Sequence, residues 1–247
     1  HTMQDLSLWF RWLPVTAAAV VLAVVFGLAA GSSGWGWADA QIVWGVRAPR
    51  VACALVSGAA LALAGALLQG VTRNPLADPS VLGVSGGAAV GALAVLAFSD
   101  AGRADPWWPM AGAAVGAAAA TALLLGLSWR ALGQRSGLQA TAPGHAHEGT
   151  VTLLLLGVMI GSACAAAIAL MLSIAPEAQL RGMVFWLLGD LNGATAWWPA
   201  ALALALAFAL AWPCSHDLDV MARGDAWAYS LGVPVAHRRR VVLAAAA

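Results

Sequence analysis

His145 and His147 flank Ala146, and Glu148 follows directly. Two imidazoles and a carboxylate this close can share a metal ion. No further ligand stands near them in the polar segment Gly133–Gly149, so the pair is read as a solvated loop and no metal site is predicted. The chain holds no GxxxxGK[ST] loop for nucleotide phosphates and no HExxH zinc helix. No catalytic residue is assigned, and no cofactor is expected in this chain. What remains is binding chemistry. Arg47 and Arg50 carry guanidinium forks, which bond carboxylates bidentately and steer charged partners. Arg181 is the one cation of Gln179–Leu191, with Glu177 and Asp190 nearby, and it suits an acidic ligand. Asn74-Pro75-Leu76-Ala77-Asp78-Pro79 is a turn: the prolines break helices, and Asn74 and Asp78 bond nearby backbone. Gly224–Gly232 is a short polar segment with a glycine at each end.

The elements that must position these residues are apolar and long. Trp12–Ala38, Val51–Thr72, Pro79–Ser99, Pro106–Trp129, Gly149–Pro176 and Leu191–His216 contain no Asp, Glu, Lys or Arg. Roughly 20 apolar residues at 1.5 Å each cross a bilayer core. Lipid offers the backbone no hydrogen bonds, so each stretch should be a helix. A soluble helical bundle is excluded by composition: charged residues are 9% of the chain, against about 25% in soluble domains. The net charge of +1 gives no footprint for nucleic acid. Cys53, Cys164 and Cys214 have no paired spacing and read as inert thiols. The first stretch is too long for a secretory leader core and reads as a retained helix. His1-Thr2 reads as residues added ahead of a native start at Met3.

Six spanning helices are expected near Leu13–Ala30, Val51–Val71, Val81–Ala97, Pro109–Leu132, Val151–Leu172 and Trp197–Trp212, with a seventh beginning at about Val241. The chain 1–247 is expected to be a single transmembrane domain. Alternate loops then fall on opposite sides. Arg11, Arg73, Arg130, Arg135, Arg223, Arg238, Arg239 and Arg240 share one side; Arg47, Arg50, Arg103 and Arg181 share the other. The richer side is cytoplasmic by the positive-inside rule, so the N-terminus is expected inside. Ten tryptophans, Trp44 and Trp212 among them, cluster near the expected helix ends, where amphipathic rings sit at the interface. Gly87–Gly91, Gly112–Gly116 and Gly157–Gly161 have the GxxxG spacing that lets helix backbones approach. Gly83, Gly86 and Gly87 leave room for irregular backbone inside the membrane. No ionisable residue stands at a helix centre, which disfavours an ion-coupled carrier. A short helix is expected within Gln179–Leu191 and another over Asp219–Tyr229, ended by Gly232-Val233-Pro234.

Four segments carry a resemblance. Arg47-Ala48-Pro49-Arg50 leads into Val56–Gln69. Arg73-Asn74-Pro75-Leu76-Ala77-Asp78-Pro79 follows, with Leu82-Gly83-Val84-Ser85-Gly86-Gly87 after it. Later come Gln179–Gly189, and Ala222–Asp225 running on to Ser230-Leu231-Gly232-Val233. Together they resemble the FecCD-type permeases, membrane subunits of ATP-driven importers for iron-siderophores, haem and vitamin B12. The resemblance implies an all-α polytopic transmembrane bundle of ten helices, of which this chain would hold six and the start of a seventh. It further implies a second copy of the chain, two cytoplasmic ATPase subunits that hold ATP and Mg, a periplasmic substrate-binding protein and a bacterial inner-membrane location. By resemblance Arg47 and Arg50 dock the binding protein. Asn74 and Leu76 line the inner constriction of the pathway, and Arg181 its mouth. Gly224, Asp225, Ser230, Leu231 and Gly232 form the loop that couples to the ATPase. The Leu-Arg-x-x-x-Phe-Trp pattern at 180–186 is closer to haem and vitamin B12 permeases, and haem is the expected cargo. A siderophore or vitamin B12 is the alternative within the class.

Overall fold

A computed structural model describes residues 3–31, 34–35, 39–98, 105, 107–133, 145–189, 191 and 196–246. Arg103, Arg135, Gly144 and Asp190 lie outside the described residues, as do the side chains of Arg130, His145, His147, Glu148 and Asp225. Among the described residues the regular structure is helical, apart from a two-residue antiparallel bridge of Ala30–Gly31 (β1) with Gly34–Trp35 (β2). The helices are α1 (Met3–Ala29), α2 (Ala40–Thr72), α3 (Val84–Phe98), α4 (Trp107–Gly133), α5 (His145–Ile174) and α6 (Glu177–Leu188). They continue as α7 (Trp198–Ala211), α8 (Ser215–Ala222), α9 (Asp225–Ser230) and α10 (Val235–Ala246). Among the described residues five segments are long and apolar enough to cross a membrane: Arg11–Ala29, Ala40–Thr72, Trp107–Ser128, Leu154–Ile174 and Trp198–Ala222.

The expected third crossing is the exception, because α3 has only 15 residues. Ahead of it, Pro79–Leu82 winds as a 3-10 turn, with Pro79 at its start and Asp78 capping it. Other boundaries also move. α2 begins at Ala40 rather than Val51, so Pro49 lies within the helix instead of in its first turn. A proline inside a helix cannot donate to the carbonyl four residues back, and its ring collides there. Here Val43–Arg47 widens into a π-helical turn just upstream, the local adjustment that such a proline requires. α5 starts at His145, so the two histidines belong to a helix rather than to a loop. α10 starts at Val235, ahead of the expected Val241: the Arg238–Arg240 run is helical although it is not apolar.

The chain forms two compact units. The first comprises His1–Gly58 with Leu191–Leu202. In it Arg47, at the end of the π turn, packs against the end of α1, and Gly27 meets Val51. The second comprises Ala59–Asp190 with Ala203–Ala247. Its core gathers Leu68, Leu82, Leu124, Ile160, Cys214 and Val242, all buried. Two of the GxxxG pairs meet each other there. A Cβ placed on Gly91 would strike the carbonyl oxygen of Gly112, and one on Gly116 that of Gly87, so α3 and α4 pack backbone to backbone. The third pair receives the 3-10 turn: a Cβ on Gly157 would strike the carbonyl of Val81, and Gly83 lies against Gly157 and Gly161. The irregular backbone is covered by protein at its far end, where Leu82 and Gly83 are buried while Ser80 stays exposed, and such cover is the condition under which it is tolerated at membrane depth. Large apolar side chains cover the outside, as on Leu22, Leu61, Val115 and Met159.

Candidate pathway, docking and coupling residues

Arg47 and Arg50 are expected to share an exposed docking rim. Arg47 is instead 6% exposed. Its Nη1 donates to the carbonyl oxygens of Leu28 at 2.8 Å and Ala29 at 3.1 Å, the last residues of α1. A helix end leaves its final carbonyls without partners and carries partial negative charge, which a guanidinium satisfies on both counts. Arg47 thus caps α1 in this structure and faces the α1 carbonyls. A Cβ on Gly31 would collide with the same guanidinium, so the bare glycine is what leaves room for it. Arg50 is half-buried, and its Nε, out of contact with solvent, has no hydrogen-bond partner.

The turn after α2 is built as its residue types require. Asn74 Oδ1 accepts from the backbone N–H of Leu76 at 3.0 Å, and Asn74 O accepts from Ala77 N at 3.1 Å. Asp78 Oδ1 accepts from Ser80 N at 2.7 Å and caps the 3-10 turn. The bonds from Ser80, side-chain and backbone, hold the Asp78 carboxyl below its ordinary value. Arg73 has φ +52°, a left-handed conformation uncommon for a non-glycine residue, at the point where α2 stops. Ala77 is buried and anchors the loop, while Leu76 is 87% exposed at its tip. Asn74 and Leu76 are thus brought together in one turn. Arg181 stands elsewhere, on α6, which packs against α3. It is exposed, with its guanidinium 5.7 Å from the ring centre of Phe185, four residues on.

The expected helix over Asp219–Tyr229 is two helices. Gly224, at φ +136°, breaks it between α8 and α9. At the other end Gly232 N–H donates to Tyr229 O at 3.0 Å and Val233 N–H to Ala228 O at 3.0 Å, with Gly232 at φ +78°. This is a Schellman stop, which needs a left-handed residue at the position Gly232 holds. Ser230 Oγ donates to Trp227 O at 2.8 Å, so its hydroxyl serves the helix itself. Met221, Ala228 and Val235, one each from α8, α9 and α10, form a small buried cluster beneath. Trp227, Tyr229 and Leu231 stand outward, each more than half exposed. Leu231 was legible as a contact residue. Trp227 and Tyr229 were not, although two aromatics in a polar segment outside any span were a usable signal.

A sequence model of the FecCD transport family matches residues 8–247. A vitamin B12 import system permease protein, BtuC, of Escherichia coli O17:K52:H18 is 33% identical over 243 residues, covering 95% of this chain and 69% of that protein. The protein of the same description from Citrobacter koseri is 34% identical over 245 residues, covering 95% and 68%. That of Salmonella typhimurium is 34% identical over 244 residues, covering 95% and 69%. Among solved structures, an inward-facing metal-chelate type ABC transporter superposes with a TM-score of 0.77 at 24% identity, over 96% of this chain and 72% of that one.

Proposed function

Because the chain belongs to the FecCD transport family, as a multi-pass permease of an ATP-driven importer, we propose that it carries a metal-bearing macrocycle inward and that α9 receives the thrust of a partner ATPase. The observation that carries this reading is α9 itself. A six-residue helix, held between two positive-φ glycines, presents Trp227, Tyr229 and Leu231 outside every candidate span. It is far too short to cross a bilayer. Large apolar side chains in so small a polar element suit a cleft on another protein.

The remaining roles follow in the same proposal. Asn74 and Leu76 form an inner gate, with the exposed Leu76 side chain as the obstructing group. Arg181 receives an acidic part of the cargo or of its binding protein at the outer mouth. Arg47 and Arg50 dock the binding protein, with Arg50 the less buried of the two in this structure. Gly224, Asp225, Ser230, Leu231 and Gly232 build the coupling element, the glycines by their backbone and Leu231 by contact. A second copy of the chain completes the pathway, a periplasmic binding protein delivers the cargo, and ATP with Mg stays on two ATPase subunits. The N-terminus lies on the cytoplasmic side of the bacterial inner membrane.

For the cargo, the vitamin B12 permeases among the relatives support a corrinoid over the expected haem. Haem is the second reading, supported by Arg181, which can meet propionates. The test is uptake into proteoliposomes holding the complete importer, with cyanocobalamin and haemin in competition. A corrinoid importer takes up cobalamin with haemin a poor competitor; the reverse result overturns the corrinoid reading. In the same preparation Leu231→Asp places an unpaired charge in a desolvated contact. Its normal transport with the ATPase retained would overturn the coupling role.

A further inference from the structure

We propose that Asp217 and Arg238 form a positioning clamp that fixes α9 relative to the end of the α7 span, so that force on α9 reaches the span. The inference rests on the coupling role proposed for α9. Arg238 sits in α10, and its Nε lies 2.5 Å from Asp217 Oδ2, in the first turn of α8, an ion pair held by charge and not by a hydrogen bond at that nitrogen. Its Nη1 donates to Cys214 Sγ at 3.7 Å. Cys214 is buried in the 3-10 turn that continues α7. One guanidinium therefore ties α10 to the 3-10 turn and to α8, the two elements that end the Trp198–Ala222 span. Between the two ends of the ion pair the chain reverses at Gly224 and again at Gly232, and α9 lies in that bracket.

A clamp is needed there for a physical reason. A helix of six residues cannot hold its own geometry, because nucleation costs more than so few hydrogen bonds return. Among its described side chains only Ala228 is buried, and a single methyl leaves α9 free to roll on the cluster of Met221 and Val235. Both clamp residues are mostly covered, with side chains 30% and 18% exposed, so water and salt screen the pair less than a surface contact. With the bracket open, α9 still meets its partner, but the displacement is spent in rolling rather than in moving α7.

The test uses the complete importer in proteoliposomes and reads the cargo moved per ATP hydrolysed, with ATPase retention and thermal unfolding measured on the same samples. Asp217→Asn and Arg238→Gln are expected to keep the ATPase bound and hydrolysing while that ratio falls by roughly five-fold or more. The charge exchange, Asp217→Arg with Arg238→Asp, should restore much of it. Arg238→Lys keeps the charge but loses the fork that reaches Cys214, and should fall between. A ratio like that of the unaltered protein in either Asp217→Asn or Arg238→Gln overturns the clamp. Loss of the ATPase in the single variants without rescue by the exchange also overturns it, since the pair would then only shape the docking face. If Leu231→Asp transports normally, it is the coupling role that fails, which separates the two ideas.

Discussion

Arg47 shows how a charge changes meaning with its surroundings. On the page it is half of an Arg-x-x-Arg motif; in the fold it is the stopper of α1. Replacing it with Ala leaves two carbonyls in a water-poor site and removes charge-assisted bonds, a loss of roughly 2–3 kcal/mol. The expected result is a clearly lower unfolding temperature in detergent, with Arg47→Lys recovering part of it. An unfolding temperature unchanged in Arg47→Ala would show the cap to be energetically idle. Sequence reasoning missed this because the partners are backbone atoms almost twenty residues away, which no motif encodes. Asp78 was legible, since an Asp before Pro-Ser suits a cap. Its folded pKa is below the ordinary 3.8. The order it contributes is therefore complete above that value and lost as pH falls through the lower folded one. Protection of the Ser80 amide, its exchange rate relative to the intrinsic rate at the same pH, should persist near neutral pH and be lost only in strong acid. In Asp78→Ala it should be absent throughout, and protection in that variant would contradict the cap.

At the scale of elements, the long apolar helices were legible because a charge-free run of such length has few other fates in lipid. Their ends were not. The π turn of α2 answers Pro49, but the chain before it was polar enough in its glycine and arginine content to read as a loop. α8 and α9 read as one helix because Gly224 looks tolerable in a helical pattern, and only its φ reveals the break. The glycine pairs were ambiguous one by one in a glycine-rich chain, and became specific once Gly87 and Gly91 were seen to face Gly112 and Gly116. Gly91→Ala forces a methyl into the Gly112 carbonyl, an overpacking worth roughly 1–3 kcal/mol. Gly126, with open space at its Cβ, should accept the same change at little cost. Equal unfolding temperatures for the two variants would refute the backbone contact. Gly232→Val places a branched residue at φ +78°, where it is a steric outlier. Loss of coupled ATP hydrolysis with the transmembrane helices intact by circular dichroism is the expected outcome, and normal coupling would count against the Schellman stop as a functional need.

At the scale of the molecule, class and family were legible from bulk hydropathy and the Asn-Pro-Leu-Ala-Asp-Pro run. The cargo was not. Its chemistry is spread over an apolar pathway in which single residues such as Arg181 say little, and the expected haem has given way to a corrinoid reading supported by the relatives. The short α3 has a further consequence. Fifteen residues rise about 22 Å, against a hydrocarbon core of about 30 Å. The shortfall lies at the turn of 79–83, at whose far end protein rather than lipid meets the backbone. Wherever lipid reaches α3 itself the bilayer is expected to thin, so the acyl chains act as a spring against the permease, stiffer as they lengthen. Transport in vesicles of graded chain length should peak in thinner bilayers and decline in thicker ones, while detergent-measured stability stays constant. A flat profile would mean that neighbouring helices shield α3 from the lipid altogether.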